Sequence, residues 1–134
     1  MKKANLFFLI TMIVIGCVLS GCAEKSNAEI VKEPSNLQEI NLTLYNGKSI
    51  NVTKSEKIQD IVKAINSAES TKEESVQDVP DAKQYGKIIL VSKEDERTLY
   101  YYEREGKYYI EEPYVGIYQC DQDFNSYFKS IEGL

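Results

Sequence analysis

Histidine is absent from the 134 residues. That excludes Ser-His and Cys-His nucleophile pairs and any zinc site that depends on imidazole. Cysteine is scarce: Cys17 lies in an apolar run, Cys22 follows it, and Cys120 stands alone near the other end. No Walker or dinucleotide-binding glycine pattern occurs, so phosphate-cradling loops are also missing. Basic clusters are missing as well. The chain carries 16 Lys and Arg against 21 Asp and Glu, a net charge of −5, which makes it a poor match for nucleic-acid backbones or anionic headgroups. The one carboxylate doublet inside a predicted strand, Glu111-Glu112, must point to opposite faces and cannot act as an acid-base pair. The sequence implies no cofactor and no metal.

What is present begins with a leader. Lys2 and Lys3 precede the apolar run Leu6 to Leu19, 14 residues long. This is short of the ~20 residues a transmembrane helix needs, and it fits a secretory signal. The run closes with Leu19-Ser20-Gly21-Cys22, which resembles the lipobox of bacterial lipoproteins. The resemblance implies that residues 1–21 are a lipoprotein signal peptide. Cys22 would receive diacylglycerol, take up palmitate label, and become the new N-terminus. The expected location is the outer face of the cytoplasmic membrane, with the chain held there by acyl chains. Removing Lys2 and Lys3 leaves 14 basic and 21 acidic residues, a charge of −7, on 113 residues. That length suits one domain with one modest core. With Cys22 lipidated, Cys120 has no disulfide partner and reads as a small buried hydrophobe.

Residues 22–38 are polar, lack periodicity and contain Pro34, so they read as a flexible tether. Residues 39–134 read as a single α+β domain. Around Asn46-Gly47, a three-residue loop Tyr45-Asn46-Gly47 with left-handed Gly47 sets Leu42 opposite Ile50 and Ile40 opposite Val52, apolar side chains on one face. Residues 53–68 predict a helix, with Thr53 and Glu56 at capping-box spacing and Ile58, Ile61, Val62 and Ile65 forming its apolar stripe. Residues 69–85 are a long polar connection in which Thr71, Ser75 and Asp78 form either a polar site or loop-shaping bonds. Ile88 to Val91 are apolar in succession and predict a strand covered on both faces.

Seven of the ten tyrosines fall between Thr98 and Cys120. A three-residue loop Arg104-Glu105-Gly106 pairs Glu103 with Lys107 and Tyr101 with Tyr109. It puts Tyr100, Tyr102, Tyr108 and Ile110 on the core face and Leu99, Tyr101, Tyr109 and Glu111 on a wetter one. Residues 113–119 predict a further strand, and residues 121–134 a helix capped by Asp121 with Phe124, Tyr127, Phe128 and Ile131 inward. Asp121, Asp123, Asn125 and Glu132 have the spacing of a calcium loop. Ser126 at the glycine position and Lys129 among the ligand positions favour the capped helix instead.

The segments TKEESVQDVP (71–80) and GKYYIEEPYVGIY (106–118) together resemble a family of small Gram-positive lipoproteins of uncharacterised function. The resemblance implies a Gram-positive origin and assigns no activity. The expected architecture is α+β: an antiparallel sheet of about five strands in the order ββαβββα, with two helices packed on one face. The expected function is a non-enzymatic binding module whose partner is an envelope protein or peptide, with Tyr101, Tyr109 and Tyr114 as candidate contact residues. The alternatives are an accessory or structural subunit of an envelope complex and a carboxylate-based hydrolase.

Overall fold

A computed structural model describes residues 28–132, with Glu132 in its backbone alone. The signal segment, Cys22 and residues 22–27 of the expected tether lie outside the described residues. Among the described residues, seven strands form one antiparallel sheet: β1 Leu37–Thr43, β2 Ser49–Val52, β3 Glu69–Ser70, β4 Tyr85–Ser92, β5 Glu96–Arg104, β6 Lys107–Glu112 and β7 Gly116–Gln119. Their order across the sheet is β2-β1-β4-β5-β6-β7-β3. Two α-helices among the described residues, α1 Ser55–Asn66 and α2 Gln122–Glu132, pack on one face, the inner face. The α+β class and the one-sided helices are as expected. The sheet is wider than five strands, partly because two-residue β3 carries no apolar alternation to announce it.

The first hairpin has the expected register, with Ile40 opposite Val52 and Leu42 opposite Ile50. Gly47 takes φ +79°, and its N–H donates to the Leu44 carbonyl at 2.9 Å. Ile40 and Leu42 then meet the α1 stripe of Ile58, Ile61, Val62 and Ile65, every one of them buried. At roughly 1.5–3 kcal/mol per buried aliphatic side chain, this contact is a major source of stability. The helix starts later than its capping-box spacing suggested. The Lys54 carbonyl accepts the first intrahelical bond, from Ile58 at 3.0 Å, and no side chain caps the end. Thr53 therefore lies outside the helix. At α2 the expected cap is present: Phe124 N–H donates to Asp121 Oδ1 at 2.9 Å, and Phe124 and Phe128 stack beneath it. Asp121 also accepts from the Ser67 hydroxyl at 3.0 Å, so the carboxylate is used in joining the helices.

The second hairpin departs from expectation by one residue. Its loop is Glu105-Gly106, with φ +55° and +75°, the two-residue geometry whose twist matches that of the strands. Tyr102 consequently faces Tyr109, Tyr101 faces Ile110 and Tyr100 faces Glu111. A one-residue slip exchanges the faces. Leu99, Tyr101 and Ile110 point inward and are 0–1% exposed, while Tyr102, Tyr109 and Glu111 point outward. The expected Glu103–Lys107 charge pair is lost, and Arg104 lies opposite Lys107 instead. Burying Leu99 and Tyr101 outweighs an exposed ion pair worth at most about 1 kcal/mol.

Strand order explains the long connection. β3 is four strand spacings from β4, about 19 Å, so residues 71–84 must cross back over β7, β6 and β5 on the outer face. The central strand β4 is covered on the inner face only in full: Ile88 and Leu90 are buried, whereas Ile89 and Val91 are half-buried. The expectation of two covered faces fails because the helices lie on one side and the loop packs over β5 to β7.

Candidate ligand-binding cleft

Part of the expected tether belongs to the fold. Ala28 N–H donates to the Ala68 carbonyl at 2.9 Å, and Asn66 at the end of α1 both accepts from Val31 N–H (2.8 Å) and donates to the Val31 carbonyl (3.0 Å). Ile30 and Val31 are buried in the core. Residues 28–37 thus form a wall over one end of the inner face, where α1 and α2 leave the sheet uncovered.

Between that wall and the ends of β4, β5 and β6 lies a cleft of about 600 Å³, within the size range of small-ligand sites. Arg97 and Glu112 sit in it as a bidentate pair: Arg97 Nε to Glu112 Oε1 and Nη2 to Oε2, both at 2.9 Å. The same Nη2 donates to the Ile30 carbonyl at 3.0 Å, tying the wall to the sheet. The hydrogen bond to Glu112 holds the Arg97 guanidinium above its ordinary pKa against the opposing effect of burial. Tyr118, facing Ile110 across β6 and β7, contributes a phenol whose pKa is raised by burial and by the Glu112 charge. Leu37, Leu90 and Val115 supply apolar surface. With Arg97 and Glu112 neutralising each other, the remaining charged lining among the described residues is Glu29, Glu33 and Asp95 against Lys32. Those four side chains sum to a charge of −2 beside an apolar floor.

Neither cleft residue is among the candidates read from the sequence. The signal was an Arg and a Glu at inward-facing positions beside Leu99 and Ile110. The expected register put Arg97 and Glu112 on opposite faces and so concealed it. Glu111 and Glu112 do diverge as anticipated, one to each face.

The tyrosine candidates are not a common surface. Tyr101 is a core residue, 1% exposed, packed between Tyr45, Phe124 and Phe128 with ring centroids at 4.9, 6.1 and 4.9 Å. Tyr109 is on the other side of the sheet, buried and stacked on Tyr102 at 5.8 Å with the Arg104 guanidinium over its ring. The wet aromatic pair Tyr101–Tyr109 is therefore corrected to two separate buried rings. Tyr114 is exposed, at φ +61° in the β6–β7 turn, and its hydroxyl donates to Asp78 at 2.8 Å.

That bond belongs to a set joining residues 71–84 to the outer face. The Thr71 hydroxyl donates to the Ile117 carbonyl at 2.7 Å, Ile117 N–H donates to the Glu73 carbonyl at 3.1 Å, and the Ser75 hydroxyl donates to Glu111 Oε1 at 2.6 Å. Thr71, Ser75 and Asp78 shape the loop, although Ser75 and Asp78 do so through distant carboxylate and phenol groups rather than neighbouring backbone. The segments 71–80 and 106–118 thereby become one structural unit. Cys120 is buried, and burial pushes its thiol pKa far up, which suits the expected small hydrophobe. Among the described residues, no three acidic or cysteine side chains gather into a metal-holding group.

The solved structure described as "NMR structure of the protein from Ruminococcus gnavus" is similar to this chain: 36% identity, TM-score 0.63, covering 71% of this chain and 96% of that one. No curated protein matches. Residues 25–119 match a family model that begins inside the expected tether and spans both the cleft wall and the outer-face loop. The chain belongs to the family described as Domain of unknown function (DUF5300).

Proposed function

We propose that the protein is a non-enzymatic binding module held on the outer face of the cytoplasmic membrane by diacylglycerol on Cys22, and that the Arg97–Glu112 cleft receives its ligand. The observation that carries this reading is the cleft itself, a volume of about 600 Å³ with a fixed ion pair inside it. A bidentate Arg–carboxylate pair is already satisfied, so it serves orientation and shape better than chemistry. The excess of carboxylates around it favours a ligand bearing an amine, such as the basic side chain of a peptide. Ala28 lies six positions after Cys22, a span of about 20 Å at most, which would keep the cleft near the bilayer. The test is a titration of isotope-labelled chain with tri-lysine and with tri-glutamate. Saturable amide shifts at residues 29–37 and 92–97 are expected with tri-lysine, weakened by Asp95→Lys. Their absence removes the cleft from the account.

A second reading, an accessory subunit of an envelope complex, is favoured by one patch. Val76, Val79, Tyr114 and Val115 are large apolar side chains left 45–77% exposed on the outer-face loop and the neighbouring turn. In that case Val76→Ser with Tyr114→Ala abolishes co-purification of a complex while leaving the tri-lysine titration unchanged.

A further inference from the structure

The far edge of the sheet carries a second site, separate from the cleft. β2 is an edge strand. Leu44 N–H donates to the Lys48 carbonyl at 2.9 Å, so in the alternating antiparallel ladder the pairs Leu42–Ile50 and Ile40–Val52 are the hydrogen-bonded ones. The backbone groups of Ser49 and Asn51 therefore point away from β1, towards an open side. Alongside that edge, on the inner face, runs a groove of about 390 Å³ floored by Ile50, Val52, Ile61 and Ile131. Among the described residues its charged lining is Lys54 and Lys57, both positive, in a chain of net charge −5. Lys57 is only loosely engaged, 3.8 Å from an exposed Asp60, and the first turn of α1 beside it lacks a side-chain cap.

We infer that β2 and this groove dock an extended peptide segment that has apolar residues at alternate positions and a carboxylate at its end. The added strand would pair with Ser49 and Asn51. Strand periodicity would send every second side chain into the groove, and the carboxylate would meet Lys54 and Lys57 at the positive end of α1. A second copy of the chain is a poor occupant, because edge-to-edge pairing of two β2 strands would bring a second set of Lys48, Lys54 and Lys57 to the same positively charged edge. Lysines at an edge oppose such self-pairing while leaving an acidic strand welcome.

The test uses the full chain in detergent micelles, isotope-labelled, and the acetylated, amidated peptide Glu-Val-Thr-Val-Thr-Glu. Saturable amide shifts are expected at Ser49–Val52, Lys54, Lys57 and residues 127–131. Replacing the terminal glutamates of the peptide by lysine weakens binding at least tenfold. The double substitution Lys54→Glu with Lys57→Glu, on exposed side chains, reverses that preference. Asn51→Pro removes an outward N–H and weakens binding at least tenfold, whereas Asn51→Ala leaves it unchanged. Equal binding of both peptides, no saturable shift at β2 up to millimolar peptide, or β2 shifts that follow the concentration of the chain itself would each overturn the assignment. The last result would make a second copy the occupant.

Discussion

Ser75 donates its hydroxyl to Glu111 Oε1 across 2.6 Å, beneath a loop that leaves the carboxylate 1% exposed. The other oxygen, Oε2, is buried without a direct hydrogen bond. The Tyr102 phenol also interacts with this carboxylate, but the short Ser75 bond is its closest partner, and a buried polar group that loses a partner bears a desolvation cost. Ser75→Ala is expected to lower stability by about 1–3 kcal/mol, read as a shift of the urea midpoint. Replacing both partners, Ser75→Ala with Glu111→Leu, recovers part of the loss, because it removes the buried carboxylate that Ser75→Ala leaves short of a donor. A double variant less stable than Ser75→Ala alone would show that Glu111 contributes through other contacts.

Gly86 sits directly against the ring of Tyr101. A Cβ at that glycine would come within 2.1 Å of the ring carbons Cε1 and Cζ and 2.5 Å of the hydroxyl oxygen. The strand therefore needs glycine there so that the phenol can lie flat over its backbone. Gly86→Ala should destabilise by about 1–3 kcal/mol or more through overpacking, and Tyr101→Ala by about 3–5 kcal/mol through the cavity it leaves. The two changes together should cost clearly less than their sum, which a double-mutant cycle measures directly. Full additivity would mean that the backbone moves aside and the contact is not limiting.

Those two residues also show what could be read in advance. The helices and the first hairpin were legible because each rests on a local period: Ile58, Ile61, Val62 and Ile65 recur on one helical face, and a single register aligns Ile40 and Leu42 with Val52 and Ile50. The tyrosine hairpin lacks that constraint, since tyrosine is tolerated on either face and both registers give plausible pairs. A Glu103–Lys107 attraction favoured the wrong one. Leu99 held the deciding information, because the observed register buries it and the expected one does not. The outer-face cover over Tyr102, Tyr109 and Glu111 was illegible for another reason. It follows from the position of two-residue β3 at the far edge, which forces residues 71–84 across the sheet. The cleft depended on both features, so Arg97 and Glu112 could not be paired from sequence spacing.

Alkaline pH should unfold the domain early. Tyr102 has its pKa raised by burial and then by the Glu111 charge, and burial likewise raises Tyr100, Tyr118 and Tyr127. In the unfolded chain these phenols ionise near pH 10. A pKa raised in the folded state gives a contribution that is complete below the unfolded pKa and is lost as pH rises through the folded one. Stability should therefore be level between pH 6 and 8, where no histidine titrates, and should fall above about pH 10. Tyr102→Phe removes one ionisable group and should make that fall shallower, as urea midpoints at pH 8 and pH 11 would record. An equal slope in both proteins would exclude Tyr102 as a contributor.

The proposed anchor makes a separate prediction. A run of 14 apolar residues, Leu6 to Leu19, is too short to span a bilayer comfortably, and it ends in Leu19-Ser20-Gly21-Cys22. If Cys22 is the lipidated residue, Cys22→Ala removes the only sulfur that can take diacylglycerol at that junction and blocks processing behind Gly21. The variant should run as the longer precursor on a gel, incorporate no labelled palmitate and keep Lys2 and Lys3. Folding of the domain should be unaffected, because the first packed contact among the described residues, Ala28 to Ala68, lies six positions further on. Unchanged urea midpoints together with loss of label would separate anchoring from folding. Palmitate label retained by Cys22→Ala would overturn the lipobox reading and, with it, the proposed placement of the cleft beside the membrane.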